Sequence, residues 1–178
     1  MDMVPLNNQI SMPLLGFGVF QITEGSLCEQ AVLHALKTGY RMIDTAACYG
    51  NERAVGAAVR ASGIPREEVF LVSKVWIQDA GYEKTMRSFA KTLENLQTDY
   101  LDLYIIHRFD ADTPVEETME ALDSLVRAGK VRALGASAMY GYQFFNMQLA
   151  ARDNGWAPFV SMQNHYNLLY REDERELI

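Results

Sequence analysis

Ten consecutive residues, Ile43-Asp44-Thr45-Ala46-Ala47-Cys48-Tyr49-Gly50-Asn51-Glu52, constrain this chain more than any other stretch. They begin at the end of a short apolar run, Arg41 to Asp44, that reads as a strand, and they pass through a turn into a helical pattern. That pattern starts at Asn51, sets Val55, Ala58 and Val59 at helical spacing, and stops at Gly63-Ile64-Pro65. An acid at the carboxyl end of a strand and a phenol just beyond it therefore share one rim of a sheet, where α/β proteins place their chemistry. Alone, that spacing reads more readily as structure than as a site. Two further strands change the weight. Lys74 lies near the end of the run Val69 to Val75, and His107 follows the run Tyr100 to Ile106. Three successive strand ends thus bring an acid with a phenol, an amine and an imidazole to one mouth.

Around these strands the chain alternates strand and helix patterns with no linker. Val4 to Met12, turning at Asn7-Asn8, predicts a small hairpin. Leu14 to Gly18 predicts the first strand of the main sheet. A helix follows over Ser26 to Thr38, with serine as its cap and Gly39 as its stop. The other helices are expected over 51–62, 82–96, 113–128 (Thr113 as cap, Pro114 in the first turn) and 140–154. Val131 to Ala136 and Phe159 to Gln163 are the last strands, and Arg171 to Ile178 looks like the opening of another helix. Regular βα alternation means a parallel sheet with right-handed crossovers, either a barrel or a doubly wound open sheet. A doubly wound dinucleotide domain wants Gly-x-Gly-x-x-Gly after its first strand. Here the chain reads Gly16-Phe17-Gly18-Val19-Phe20-Gln21, so that fingerprint is absent.

With Asp44, Tyr49, Lys74 and His107 in these positions, the chain resembles the aldo-keto reductases from residue 4 to residue 178. The resemblance implies a (β/α)8 barrel of the TIM type, an N-terminal hairpin plugging its bottom, and NADPH (NADP+) as cofactor. Only about six βα units are present, and 178 residues is short for a fold that typically takes about 250. The expectation is one α/β domain over residues 1–178, C-terminally incomplete, without the last two units that in the family hold the adenosine 2′-phosphate and part of the nicotinamide stacking surface. Up to Ile106 the residues resemble the aldose- and diketogluconate-reductase-like branch. From His107 onward they resemble the aryl-alcohol-dehydrogenase-like branch, as a chimera joined near the fourth barrel strand would.

The resemblance also implies roles. Tyr49 is the expected proton donor in carbonyl reduction, with Lys74 lowering its pKa, Asp44 holding Lys74, and His107 orienting the substrate oxygen. Gly18, Val19 and Phe20 match the loop that meets the nicotinamide ribose and substrate, and Asp44 belongs to the same cofactor-facing set. Ser137 and Gln163 match the residues that bind the carboxamide. Ala138 stands where many members carry Asn, which puts one of those hydrogen bonds in doubt. Phe20 and Trp76 would wall the substrate pocket, and Arg108 would favour an anionic or phosphorylated substrate. Each residue also has an ordinary structural reading, an ion pair for Asp44 and Lys74, packing for the aromatics. His34 and His165 receive only that reading, as does Cys48 in its tight turn.

Composition limits the partners. A net charge of −7 disfavours nucleic acid and anionic membranes, and no apolar run approaches the roughly 18 residues of a membrane span. Met1 to Asn8 lacks a signal-peptide pattern, and the two cysteines, Cys28 and Cys48, make no disulfide framework. A cytoplasmic protein acting on a small carbonyl substrate, with no metal, is expected. The alternative is a catalytically inactive partial barrel. In either case the open sheet edges call for self-association or a complementing polypeptide.

Overall fold

The structure, a computed structural model, describes residues 2–178. Strands β1 (Met3–Pro5) and β2 (Ser11–Pro13) pair antiparallel with Val4 opposite Met12, as the hairpin pattern predicts. Six further strands form one parallel sheet in sequence order: β3 (Gly16–Gly18), β4 (Met42–Asp44), β5 (Phe70–Val75), β6 (Leu101–Ile106), β7 (Val131–Ser137) and β8 (Phe159–Gln163). Between them run α1 (Gly25–Lys37), α2 (Glu52–Ala61), α3 (Tyr82–Leu96), α4 (Val115–Arg127) and α5 (Gly141–Asn154). This is an α/β arc of barrel type, with β3 and β8 as its two edges.

The period of two along each strand sorts side chains into two cores. Outward, Ile43, Leu71, Tyr104 and Leu134 pack against the helices, together with Val32, Val55, Phe89 and Leu122. Inward, Phe70, Val72, Leu103, Ile105 and Ala133 face the concave side, where Leu6, Ile10 and Met12 of the hairpin close the bottom. Both cores need apolar residues on both faces of the central strands, and β5 and β6 are buried throughout. Asn8 Nδ2 donates to the Arg132 carbonyl at 3.3 Å and ties the plug to β7.

Several local expectations give way to tertiary contacts. Helix α1 is capped by Glu24, whose carboxylate accepts from the amides of Ser26 and Leu27, rather than by Ser26. Thr113 does not cap α4; its hydroxyl donates to Asp110 at 2.6 Å, and Pro114 is the cap residue. The expected last helix is a single 3₁₀ turn, Glu172–Arg175. On the edge strands, Phe17 pairs with Ile43 and so points outward, meeting Tyr40 edge-on at 5.9 Å. The positions of β3 that share the inner side with Met42 and Asp44 are Gly16 and Gly18. Met162 likewise joins the outer core, whereas Val160 packs inward.

Candidate active site

Asp44 ends β4, and the chain then turns through a 3₁₀ segment, Ala47–Tyr49. Gly50, at φ 70°, ends that turn in the left-handed region and lets α2 start directly behind it. This short path is what sets the Tyr49 ring beside the end of β5. Lys74 points inward near the end of β5, 1% exposed, and donates to Asp44 Oδ1 at 2.6 Å and to the Thr45 carbonyl at 2.8 Å. Its Nζ lies 5.3 Å from the centre of the Tyr49 ring. His107, one residue past β6, meets Tyr49 edge-on at 5.5 Å and Trp76 edge-on at 5.2 Å. Phe20 lies 5.0 Å from Tyr49, its ring tilted against the phenol. The tetrad Asp44, Tyr49, Lys74 and His107 and two further aromatic side chains, Phe20 and Trp76, therefore form one cluster at the carboxyl ends of four adjacent strands, β3 to β6.

Burial sets the electrostatics of this cluster. It pulls the Lys74 ammonium below its ordinary value against the opposing pull of Asp44. His107 is lowered to about 4 by burial first, then by the positive charges of Lys74 and Arg108, so its imidazole is neutral near pH 7. Tyr49 is raised to about 12 by burial and by the Asp44 carboxylate. This overturns the expectation that Lys74 lowers the phenol: the ammonium is spent on Asp44 and Thr45, and the ring feels burial more. The phenol therefore keeps its proton throughout the neutral range.

The remaining expected residues divide. Gly18 lies level with Asp44 at the end of β3, and a Cβ there would meet nothing within 4 Å, so the approach to its backbone is open. Phe20 is exposed at 65%. Val19 does not face the mouth: it is fully buried in the outer core, its amide bonded to the Asp44 carbonyl at 3.1 Å. Ser137 and Gln163 pair across β7 and β8, and Gln163 Nε2 reaches the free carboxylate oxygen of Asp44 at 3.2 Å. Ala138 follows, exposed and at φ 45°. Arg108 is exposed beside His107. His165 stacks on Tyr170, and no metal-binding group of side chains occurs among the described residues.

Three features were not anticipated. Asn51 is buried and joins the site's two loops, its amide donating to the carbonyls of Val19 and Ile22 while its oxygen accepts from Thr45. Glu52, also buried, accepts from Ser73 at 2.7 Å and Asn95 at 3.1 Å behind the sheet. Cys48 Sγ lies 3.4 Å from His107 Nδ1. For Asn51 and Glu52 the sign in the sequence was a pair of polar residues opening a helix rich in alanine and valine.

Comparison with known proteins agrees with this architecture. Residues 14–178 match the Aldo/keto reductase family. The chain is 41% identical to a glyoxal reductase of Bacillus subtilis (strain 168) over 175 residues, 98% of this chain and 62% of the relative, an alignment that runs across the expected join at residue 107. The crystal structure of an aldo/keto reductase from Brucella melitensis superposes with a TM-score of 0.89 at 38% identity, covering 98% of this chain and 66% of that one. An aldo-keto reductase of Bombyx mori, crystallised in complex with NADP, superposes at 0.83 with 27% identity, covering 93% and 58%. The chain thus spans about six-tenths of the length of the relatives it matches.

Proposed function

Because this chain belongs to the aldo/keto reductase family, we propose that its site reduces a small aldehyde or ketone to the alcohol with NADPH, oxidised to NADP+, and with Tyr49 as proton donor. The observation that carries this reading is the buried Lys74–Asp44 pair lying under Tyr49 with His107 beside it, at the ends of three parallel strands. The donor set suits a nicotinamide nucleotide. Ser137 and Gln163 offer a hydroxyl and an amide to a carboxamide, Asp44 offers a carboxylate to ribose hydroxyls, and Gly18 leaves room for close approach. NADPH, bound there, supplies the hydride. Tyr49, still protonated near neutrality, gives its proton to the oxygen of the carbonyl as negative charge develops on it. Neutral His107 donates an N–H to that same oxygen. Phe20 and Trp76 wall the substrate, and the exposed charge of Arg108 favours an anionic or phosphorylated one.

The Bacillus subtilis relative is a glyoxal reductase, which fits a small carbonyl substrate for this site. The two free cysteines, and the absence among the described residues of any helix long and apolar enough to cross a membrane, fit work in the cytoplasm. A second reading has its own observation: β3 and β8 are open sheet edges. On that reading the chain is a structural unit that pairs with a second copy or a complementing polypeptide, and the reductase site works only once the edges are covered. Tyr49→Phe separates the two. Reduction of a small dicarbonyl, followed by NADPH consumption, should fall about 10²–10⁴-fold with cofactor affinity unchanged. A Phe variant with near-wild-type turnover removes Tyr49 from its role, and a wild-type chain that never oxidises NADPH favours the structural unit.

A further inference from the structure

Cys48 stands in the turn between the acid and the phenol, and its thiol reaches the imidazole of the next strand end but one. The contact joins Sγ to His107 Nδ1 at 3.4 Å, and it is the one hydrogen bond made by either ring nitrogen of His107 among the described residues. Two aromatic rings also meet the imidazole edge-on, Tyr49 at 5.5 Å and Trp76 at 5.2 Å. Those contacts fix where the imidazole lies and leave open which nitrogen carries the proton. In a neutral histidine the hydrogen bond made by one nitrogen decides the state of the other.

We propose that Cys48 is a positioning residue: its S–H donates to Nδ1 of His107 and holds the imidazole proton on Nε2, the nitrogen with which His107 then donates to the substrate oxygen. This deepens the reductase reading and rests on it. The direction of the bond follows from the two acceptors. An imidazole nitrogen is a far better acceptor than a thiol sulfur, which accepts weakly. The proton inventory agrees. Protein around the sulfur pushes the Cys48 thiol up, with Lys74 and Arg108 opposing, so it stays S–H. His107 is held neutral by burial and by the same two cations, with only Asp44 pulling the other way. An apolar residue at position 48 would leave Nδ1 free to take the proton, and the tautomer with hydrogen on Nδ1 has no donor to offer a carbonyl oxygen from Nε2.

The test is imidazole nitrogen NMR on the full chain at neutral pH, comparing wild type with Cys48→Val and Cys48→Ser. Signals of the other two histidines are assigned from His34→Gln and His165→Gln. Wild type should show His107 with its proton on Nε2. Cys48→Val should shift the population toward Nδ1–H, and Cys48→Ser, which restores a donor, should return it. In the reductase assay kcat/KM should drop roughly three- to ten-fold in Cys48→Val, the scale of one lost hydrogen bond, and recover in Cys48→Ser. A wild-type chain carrying Nδ1–H, or a Val variant that keeps Nε2–H, overturns the proposal. If the tautomer responds as expected while wild type reduces no carbonyl, the thiol contact stands and the reductase reading fails, so the two are distinguishable.

Discussion

The Lys74–Asp44 pair is asymmetric in a way that stability measurements resolve. The Lys74 side chain is 2% exposed and that of Asp44 is 18% exposed, with Gln163 also donating to Asp44. Asp44→Asn keeps the shape and an acceptor but leaves an ammonium deep in the protein without a counter-charge, a loss of about 3–5 kcal/mol when a buried pair is broken from one side. Lys74→Met instead leaves a carboxylate that still reaches water and Gln163, and methionine fills the stem's volume, so its cost is about 1–2 kcal/mol. The Asn variant also acquires a pH signature. Without Asp44, burial acts on Lys74 unopposed by its main partner and drives the folded value further below the ordinary 10.5. Below the folded value both states carry the proton and the full penalty applies. Between it and 10.5 only the unfolded chain binds the proton, so stability rises with pH. Urea unfolding at neutral and mildly alkaline pH reads both effects as midpoint shifts at constant slope. Equal losses in the two variants, or an Asn variant whose stability does not climb with pH, would refute the reasoning.

Other expectations follow from single contacts. A Cβ on Gly56 would sit 2.5 Å from the Leu96 carbonyl oxygen and 2.8 Å from that of Asn95, so Gly56→Ala should force α2 off α3 and cost about 1–3 kcal/mol in thermal unfolding; an unchanged melting temperature would mean that the helices slide at no cost. Ala138 holds φ 45°, a region that costs most side chains about 1–2 kcal/mol and Asn less, so Ala138→Asn should raise the melting temperature, and a lower one would show the strain is not local. A polypeptide of residues 1–178 alone, with β3 and β8 unpaired, should associate at micromolar concentration in sedimentation experiments. A monomer with cooperative unfolding and tight NADPH binding would show that these edges need no cover.

Much of the architecture was legible because it is written in local periodicity. The continuous apolar runs of β5 and β6, the helix pattern behind Asn51 and the hairpin at Asn7-Asn8 each depend on residues a few positions apart, and the structure forms them at nearly the expected bounds. Where a local signal competed with a distant partner, the partner prevailed. Thr113 turns to Asp110 instead of capping a helix, and Asn51 gives its side chain to Val19 and Ile22. The residue types of the tetrad could be named from the ends of successive strands, because parallel strands in sequence order must bring those ends together.

Their electrostatics could not be named. The sign of the Tyr49 shift depends on how deeply the ring is buried and on which partner the Lys74 ammonium chooses, and neither is encoded in spacing. The contacts of Gln163 with Asp44, 119 residues apart, and of Cys48 with His107, 59 apart, exist only because strand register and sheet curvature fix side chains to within a few tenths of an ångström. Sequence determined which chemical groups arrive at the mouth of the sheet. Tertiary structure decided which of them touch, and hence which proton each one holds, because hydrogen bonding and desolvation change steeply over distances that no sequence pattern specifies.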